Sequence, residues 1–378
     1  MKRRHCTQRS GVIAVFALVL MVSLMAFVAF AVDFGCLLVA RTELQRTADA
    51  AAVAAAWQLI DEGGWSGSPQ TRATADRYAA INMVGIETME LGEGDVDIGY
   101  LADVRYGETP LVYTDPSQFN AVQVNVQKSA AINGEVSLFF ARVLGQNSIE
   151  SGGLARAAFL NNVRGFQAPK QPGHLNLQIL PFALDEETWL GLEAAMVDNW
   201  NWIEQNGGAG EVLAGTDQVY EMNLFPQGTG SPGNRGTVDI GSSNNSTADI
   251  ARQIVDGISP HDLSHVGGTL ELTGVSHTLE LNGDTGISAG VKDELASIIG
   301  QNRIIPIFRT VVNPGNNAQY TIVNWVGVKI MYVKLTGPMK QKRLMVQPAK
   351  VITYGALPAS PSDPQLSDFV YSPPWLVR

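Results

Sequence analysis

The stretch GVIAVFALVLMVSLMAFVAFAV, residues 11–32, carries no charge and one polar side chain, Ser23. As a helix it would rise about 33 Å, close to the thickness of a bilayer's hydrocarbon core. Lys2, Arg3, Arg4 and Arg9 precede it, Asp33 follows it, and the next basic residue is Arg41. That asymmetry predicts an N-terminus in the cytoplasm and a body, from residue 33 to 378, facing the periplasm or the cell surface. A secretory signal has the same order of parts, and Ala29-Phe30-Ala31 offers a small-x-small cleavage pattern. Signal h-regions, however, run about 7–15 residues, shorter than this one. We read a retained single-pass anchor, with a surface protein secreted after cleavage as the alternative. A lipoprotein at Cys36 fits less well, since Asp33 sits where an aliphatic residue is needed.

Composition narrows the body. The chain has 378 residues, 38 of them glycine, and only 16% are charged. This is a turn-rich composition suited to strands and one or two domains, not to disorder. The net charge is −10, and setting aside the four basic residues of positions 1–10 leaves −14 on the rest. A body that acidic argues against nucleic acid as a partner and against lying on an anionic membrane surface. Cys6 and Cys36 are the two cysteines. A helix between them rises about 45 Å, too far for a disulfide, and a cysteine-ligated metal site is excluded beyond Cys36.

The helix is expected to continue past the membrane over residues 33–62. Phe34 to Ile60 holds no proline and is rich in alanine, a strong helix former. Leu37, Leu44, Ala48, Ala51, Ala55 and Leu59 recur at helical spacing and make one smooth face. It suits either docking on the chain's own domain or packing against a partner helix, and these six residues are the candidate partner-packing site. Glu43 with Arg46, and Arg46 with Asp49, are i,i+3 pairs on the other side. The Gly- and Ser-rich run 63–69 ends the helix.

Thr71 to Val84 reads as a second helix. Val96–Leu101, Leu111–Tyr113 and Ala121–Val126 read as strands, and Ser137–Leu144 as a buried helix ended by Gly145. Leu154–Leu160 is a strand or helix end.

Three groups of residues carry a family resemblance: Arg9-Ser10-Gly11 before the apolar run, Val32-Asp33-Phe34-Gly35 after it, and Ala40 to Ala52 (ARTELQRTADAAA). This arrangement resembles the N-terminal region of Tad (tight-adherence, Flp-type) pilus assembly proteins of the TadE/TadG kind. Asn120–Val124 and Phe139–Gly145 also look like pieces of that family's outer domain, so the likeness covers about residues 9–160. It implies a bitopic envelope protein in the assembly or anchoring of a type IV-like pilus. The implied partners are other pilus-assembly proteins or further copies of this chain. Two departures stand out. The family's pseudopilins carry glutamate at the fifth mature position, where this chain has Phe16, so retention in the manner of TadG fits better than pilin processing. No Asp-x-Ser-x-Ser motif is present, so a metal-dependent adhesion site is not carried over.

Residues 71–160 are thus expected to form a Tad-like α/β outer module. Val163–Asn176, with two prolines, reads as a linker. Residues 177–354 read as a second, sheet-rich module. Its long Val/Ile/Tyr-rich runs Arg303–Val312, Gln319–Leu335 and Lys342–Thr353 would be central antiparallel strands. Leu177–Leu184 and Thr269–Leu281 would be further strands, with helices at Ile250–Ile258 and Val291–Ile299. Residues 355–378, with five prolines, read as an extended tail whose apolar end, Trp375-Leu376-Val377, can dock. The fold class is α+β.

Five motifs are weighed for chemistry. Gly228–Gly233 matches G-x-G-x-x-G, but Pro232 removes an amide and a strand follows, so a surface loop is expected. Gly286–Gly290 matches the nucleophile elbow around Ser288, yet no histidine follows it in the chain; a helix start is the simpler reading. His261 and His265 would face one way on a helix and hold zinc with a third ligand, but Pro260 and Gly267-Gly268 favour a loop. Asp95-Val96-Asp97 reads as a solvated strand start. Trp200 and Trp202 would share one face of a strand, as core or interface. No coherent catalytic set, cofactor site or metal site results, and no small-molecule substrate is evident. A structural, non-enzymatic role is therefore expected, with a membrane-tethered hydrolase or metal enzyme using His261, His265 or Ser288 as its rival.

Overall fold

The computed structural model describes residues 10–62, 69–170, 173, 176–204, 210–225, 235–241, 246–313 and 317–377. The basic residues Lys2, Arg3, Arg4 and Arg9, together with His5, Cys6, His174, the 63–68 loop and the Gly228–Gly233 motif, lie outside the described residues. Two compact units are present. One takes in the described residues up to Leu101, Arg105–Ala158 and Trp375–Val377; the other takes in Ala102–Val104 and Phe159–Pro374.

The first unit is built on α1 (Ser10–Asp61), a single helix of 52 residues. Nothing between these ends breaks it, and at the usual rise it is about 78 Å long. Helix α2 (Pro69–Ile81) starts with proline at its first position, where no amide partner is lost, and turns Thr71, Ala75 and Ala79 inward. Three strands, β1 (Val96–Gly99), β2 (Ala121–Lys128) and β3 (Ser151–Ala158), join the C-terminal strand Trp375–Val377 in an antiparallel sheet. In β2, positions from Val122 to Lys128 alternate buried with half-buried, as a sheet covered on one face requires. The C-terminal half of α1 lies on β2, β3 and α2.

One expectation changes in this unit. Ser137–Leu144 is not a buried helix. Val136–Ser137 pairs with Ser148–Ile149, and the tip between them holds one 3-10 turn, Ala141–Leu144, with exposed side chains. Its large apolar side chains face away from the sheet, and Gly145 closes the turn at φ +89°. The apolar end of the chain, Trp375–Val377, expected to dock, does so as the edge strand beside β3.

In the second unit five strands close on themselves. They are β4 (Phe182–Asp185), β5 (Arg235–Val238), β6 (Leu279–Asp284), β7 (Asn302–Val312) and β8 (Ala318–Lys334). The order is β4-β5-β6-β8-β7, and β7 returns to β4 through the one parallel pairing of the ring, Ile307 with Leu184 and Phe308 with Asp185. Register shifts between Ile307 and Thr310 give β7 the bend that closure needs. The far half of the 17-residue β8 also pairs with β9 (Arg343–Pro348). Glycine permits one tight passage: a Cβ at Gly283 would lie 2.1 Å from the Thr237 carbonyl oxygen, and the ring of fully buried Tyr320 fills the space beside it.

Outside the ring, α3 (Thr247–Asp256), α4 (Pro260–His265) and α5 (Lys292–Ser297) follow. The main apolar core joins Phe182, Leu184, Ile305, Ile307, Val326 and Val328 of the strands to Ile250, Ile254 and Leu295 of α3 and α5. The expected linker is partly structured: Val163–Gln167 is a strand between Thr269–Glu271 and Ala356–Pro358. The proline-rich stretch after Gly355 likewise supplies short paired strands, Ser367–Asp368 on β8 and Val370–Tyr371 on Val351–Ile352. Its prolines fall between or at the ends of these pieces, where a missing amide costs no ladder bond.

Candidate functional site

Helix α1 passes through two environments. From Ile13 to Phe30 its apolar side chains are exposed on every side, with Ile13 71% and Phe27 72% accessible. A belt of that kind is not stable in water, and the helix is long and apolar enough to cross a membrane. From Leu44 to Ile60 the inward side chains are completely buried: Leu44, Ala48, Ala51, Ala52, Ala55, Ala56, Leu59 and Ile60. The three large ones contribute about 1.5–3 kcal/mol each by burial.

Five of the six candidate packing residues, Leu44, Ala48, Ala51, Ala55 and Leu59, thus lie inside their own unit, where β2, β3 and α2 cover α1. The sixth, Leu37, is half-buried. A partner helix on the Leu44–Leu59 face would have to displace the chain's own sheet. Gly153 of β3 makes this closeness possible. A Cβ there would lie 2.6 Å from Gln45 N and from the Leu44 carbonyl carbon. Polar ties fix the helix in register. Gln45 Nε2 donates to the Leu154 carbonyl at 2.9 Å, buried Thr47 donates to the Asn82 carbonyl at 2.7 Å, and Glu43 accepts from the Gly85 amide at 2.7 Å. Asp49 accepts from Gln45 Nε2 at 2.8 Å. Such bonds oppose rotation of α1 about its axis.

Asp33 marks the changeover. It is buried, although it follows directly on the exposed belt. Its carboxylate accepts from three consecutive backbone amides at the 3-10 tip: Phe139 at 2.7 Å, Phe140 at 3.1 and 3.2 Å, and Ala141 at 2.7 Å. A carboxylate can satisfy three amides because each oxygen offers two lone pairs. This clamp ties the 136–149 hairpin to α1 at the foot of the apolar belt. Around it the tip presents Phe139, Phe140, Val143 and Leu144 outward. Leu138, Phe140, Val143, Leu144 and Ile149 form one wall of an apolar groove, and α1 residues from Ala17 to Leu37 form the other.

The remaining motifs have local roles. His261 and His265 do lie on a helix, α4, which a capping box between Ser259 and Asp262 starts. Their rings meet edge to face at 4.9 Å, and the Asp262 carboxylate is taken by Ser259 and Arg252. Among the described residues no group of three potential metal ligands forms. Ser288 caps a short turn by accepting from the Gly290 amide at 3.1 Å. Asp95 accepts from the Gly92 amide at 2.7 Å and from Gln127 Nε2 at 3.0 Å, ordering the turn before β1. Trp200 stacks on Tyr332 at 4.6 Å, and Lys329 Nζ lies 3.8 Å from the Trp202 ring centre.

The sequence reading missed the Asp33 clamp, the exposed apolar tip and the contact at Gly153. The signals were present. A carboxylate ended an apolar run, two phenylalanines preceded a short turn, and Gly152-Gly153 interrupted a strand.

Comparison with known proteins follows the same division of the chain. Residues 11–58 match the family described as putative Flp pilus-assembly TadE/G-like, and residues 54–152 match the family described as putative Tad-like Flp pilus-assembly. No curated protein and no solved structure matches the chain. Residues 11–152, the apolar helix with the sheet it lies on, are therefore similar to TadE/G-like and Tad-like Flp pilus-assembly proteins, and the rest of the chain lies outside that likeness.

Proposed function

We propose that this protein is a structural, single-pass component that anchors the Tad machinery. Residues 11–32 cross the membrane, the N-terminus stays in the cytoplasm, and the two folded units stand outside as an assembly surface for other pilus proteins. One observation carries the reading: α1 is unbroken from Ser10 to Asp61, bare and apolar before Asp33 and buried in the first unit after Leu44. A continuous helix couples the first unit rigidly to the membrane, as a platform needs. The basic residues before the span favour this orientation.

Topology tests it. With Cys6 and Cys36 changed to serine, a single cysteine at exposed Ser276 (Ser276→Cys) should react with a membrane-impermeant maleimide in intact spheroplasts. Labelling only after lysis would reverse the orientation. Intact mass of the purified protein should include residues 1–32; a chain beginning near Val32 would remove the anchor.

A further inference from the structure

We propose that the 139–144 tip is a second membrane contact, a wedge that enters the outer-facing leaflet beside the anchor. The proposal rests on the reading of residues 11–32 as a membrane span. Val143 and Leu144 are each 88% exposed, and Phe139 is 65% exposed. Large apolar side chains clustered on one tip of a soluble surface mark a contact site.

Three features select lipid as the occupant. The first is height. Asp33 is the residue directly after the apolar run, and its carboxylate holds the Phe139, Phe140 and Ala141 amides. The tip is therefore fixed at the level where the span leaves the bilayer. The second is continuity. The wedge and the lower part of α1 line the same apolar groove, so whatever solvates the span also reaches the wedge. The belt on α1 is exposed all round rather than along one stripe, which fits acyl chains and not a single partner helix. The third is charge. Arg142 is the one charged residue between Ser137 and Gln146, and it is exposed. A basic side chain between apolar neighbours at this depth reaches up to phosphate headgroups while its stem stays in the apolar layer. The Asp33 clamp also removes a cost: three tip amides that would otherwise face hydrocarbon are already paired.

Two contacts are more than one for a body on a single helix. The span alone leaves the first unit free to tilt where the helix leaves the bilayer. A wedge set to one side of the axis would oppose that tilt.

The test uses the full-length chain, with Cys6 and Cys36 changed to serine, in vesicles of phosphatidylethanolamine and phosphatidylglycerol. Single cysteines Leu144→Cys, Phe30→Cys and Ser276→Cys carry an environment-sensitive fluorophore. A fraction of the lipids carries a nitroxide near the headgroup end of the acyl chain. Position 144 should lose fluorescence to the nitroxide and shift its emission to the blue, while Ser276→Cys does neither. Adding Asp33→Ala should abolish the quenching at 144 and leave it at Phe30→Cys. Quenching at 30 without quenching at 144 overturns the wedge and leaves the anchor intact. A blue shift at 144 that grows with protein density but is not quenched by lipid assigns the tip to a second copy and overturns the lipid contact. No quenching at 30 defeats the anchor reading and the wedge with it.

Discussion

Gly153→Ala tests whether the inner half of α1 is held by its own sheet. The added Cβ would lie 2.6 Å from Gln45 N and the Leu44 carbonyl carbon, and 2.7 Å from Gln45 Cα. Ordinary contact needs about 3.5–4.0 Å, so the helix must retreat by about 1 Å. The obstacles are backbone atoms of a helix tied to β3 by Gln45 and to the Asn82 loop by Thr47, so no side chain can swing aside. Overpacking of this kind costs about 1–3 kcal/mol, and the backbone obstacle places it at the upper end. Replacing glycine by alanine inside a strand otherwise gains about 0.5–1 kcal/mol. The net expectation is a loss of about 2 kcal/mol. Gly152→Ala is the control, since its Cβ meets nothing nearer than the Val126 carbonyl at 3.4 Å and should show only the gain. Amide hydrogen exchange of the full chain in detergent reads the region directly. Protection over residues 44–60 should fall about thirty-fold in Gly153→Ala, the equivalent of about 2 kcal/mol, and hold or rise in Gly152→Ala. If both variants protect these residues as the natural chain does, α1 does not lie on β3 as described, and its Leu44–Leu59 face is available to a partner.

Thr47→Val removes the hydroxyl that reaches the Asn82 carbonyl at 2.7 Å, in a site with no solvent access. It should cost about 1–2 kcal/mol by thermal unfolding, whereas Thr47→Ser should recover most of that. Burial lifts the Asp368 carboxyl above its ordinary range, and the Trp189 Nε1–H and Asn324 Nδ2–H donors at 3.0 Å only partly offset it. A raised carboxylate pKa means that the ionised group opposes folding, so stability should increase as the pH falls from neutral through that pKa. Asp368→Asn keeps an acceptor for both donors and should be neutral to stabilising at pH 7, and it should abolish that increase in thermal melts. Asp262 has the opposite sign: burial alone would lift its carboxyl, but hydrogen bonds from Arg252 and Ser259 outweigh burial and hold it below the ordinary 3.8. Its contribution is complete above that pH and lost as the pH falls through the lower folded value. Arg252→Met should therefore move the acid-unfolding midpoint of the second unit to higher pH, read by circular dichroism; an unchanged midpoint would remove the pair from the acid response.

The parts legible in the sequence share one property: a local pattern determined them. Alanine-rich continuity and the lack of proline carried α1 to Asp61, within the extension expected over residues 33–62. The Val- and Ile-rich runs gave β7, β8 and β9, because strands buried on both faces need no partner to announce themselves. Ring closure was not legible, since the parallel contact of β4 with β7 joins residues more than a hundred positions apart and depends on register shifts that leave no sequence mark. The small-residue stripe Leu44–Leu59 was legible as a packing face but not as to its occupant. Alanine permits close approach by a sheet as readily as by a helix, and Gly153, a residue on another element, is what lets the sheet approach here.

Asp33 shows the same limit at the site itself. In the sequence it is one carboxylate after an apolar run, an ordinary way to end a membrane span. Its three amide donors come from residues 139–141, more than a hundred positions downstream. A hairpin tip with Phe139, Phe140, Val143 and Leu144 reads as core when taken alone, because apolar residues in a soluble domain are expected inside. Held by Asp33 at the foot of an apolar belt, the same four residues have a different environment available to them. Burial in protein and burial in lipid draw on one composition. Only the long-range contact that sets the height of the tip separates the two, and that is why Asp33→Ala, which removes the contact while leaving every apolar side chain in place, discriminates between them.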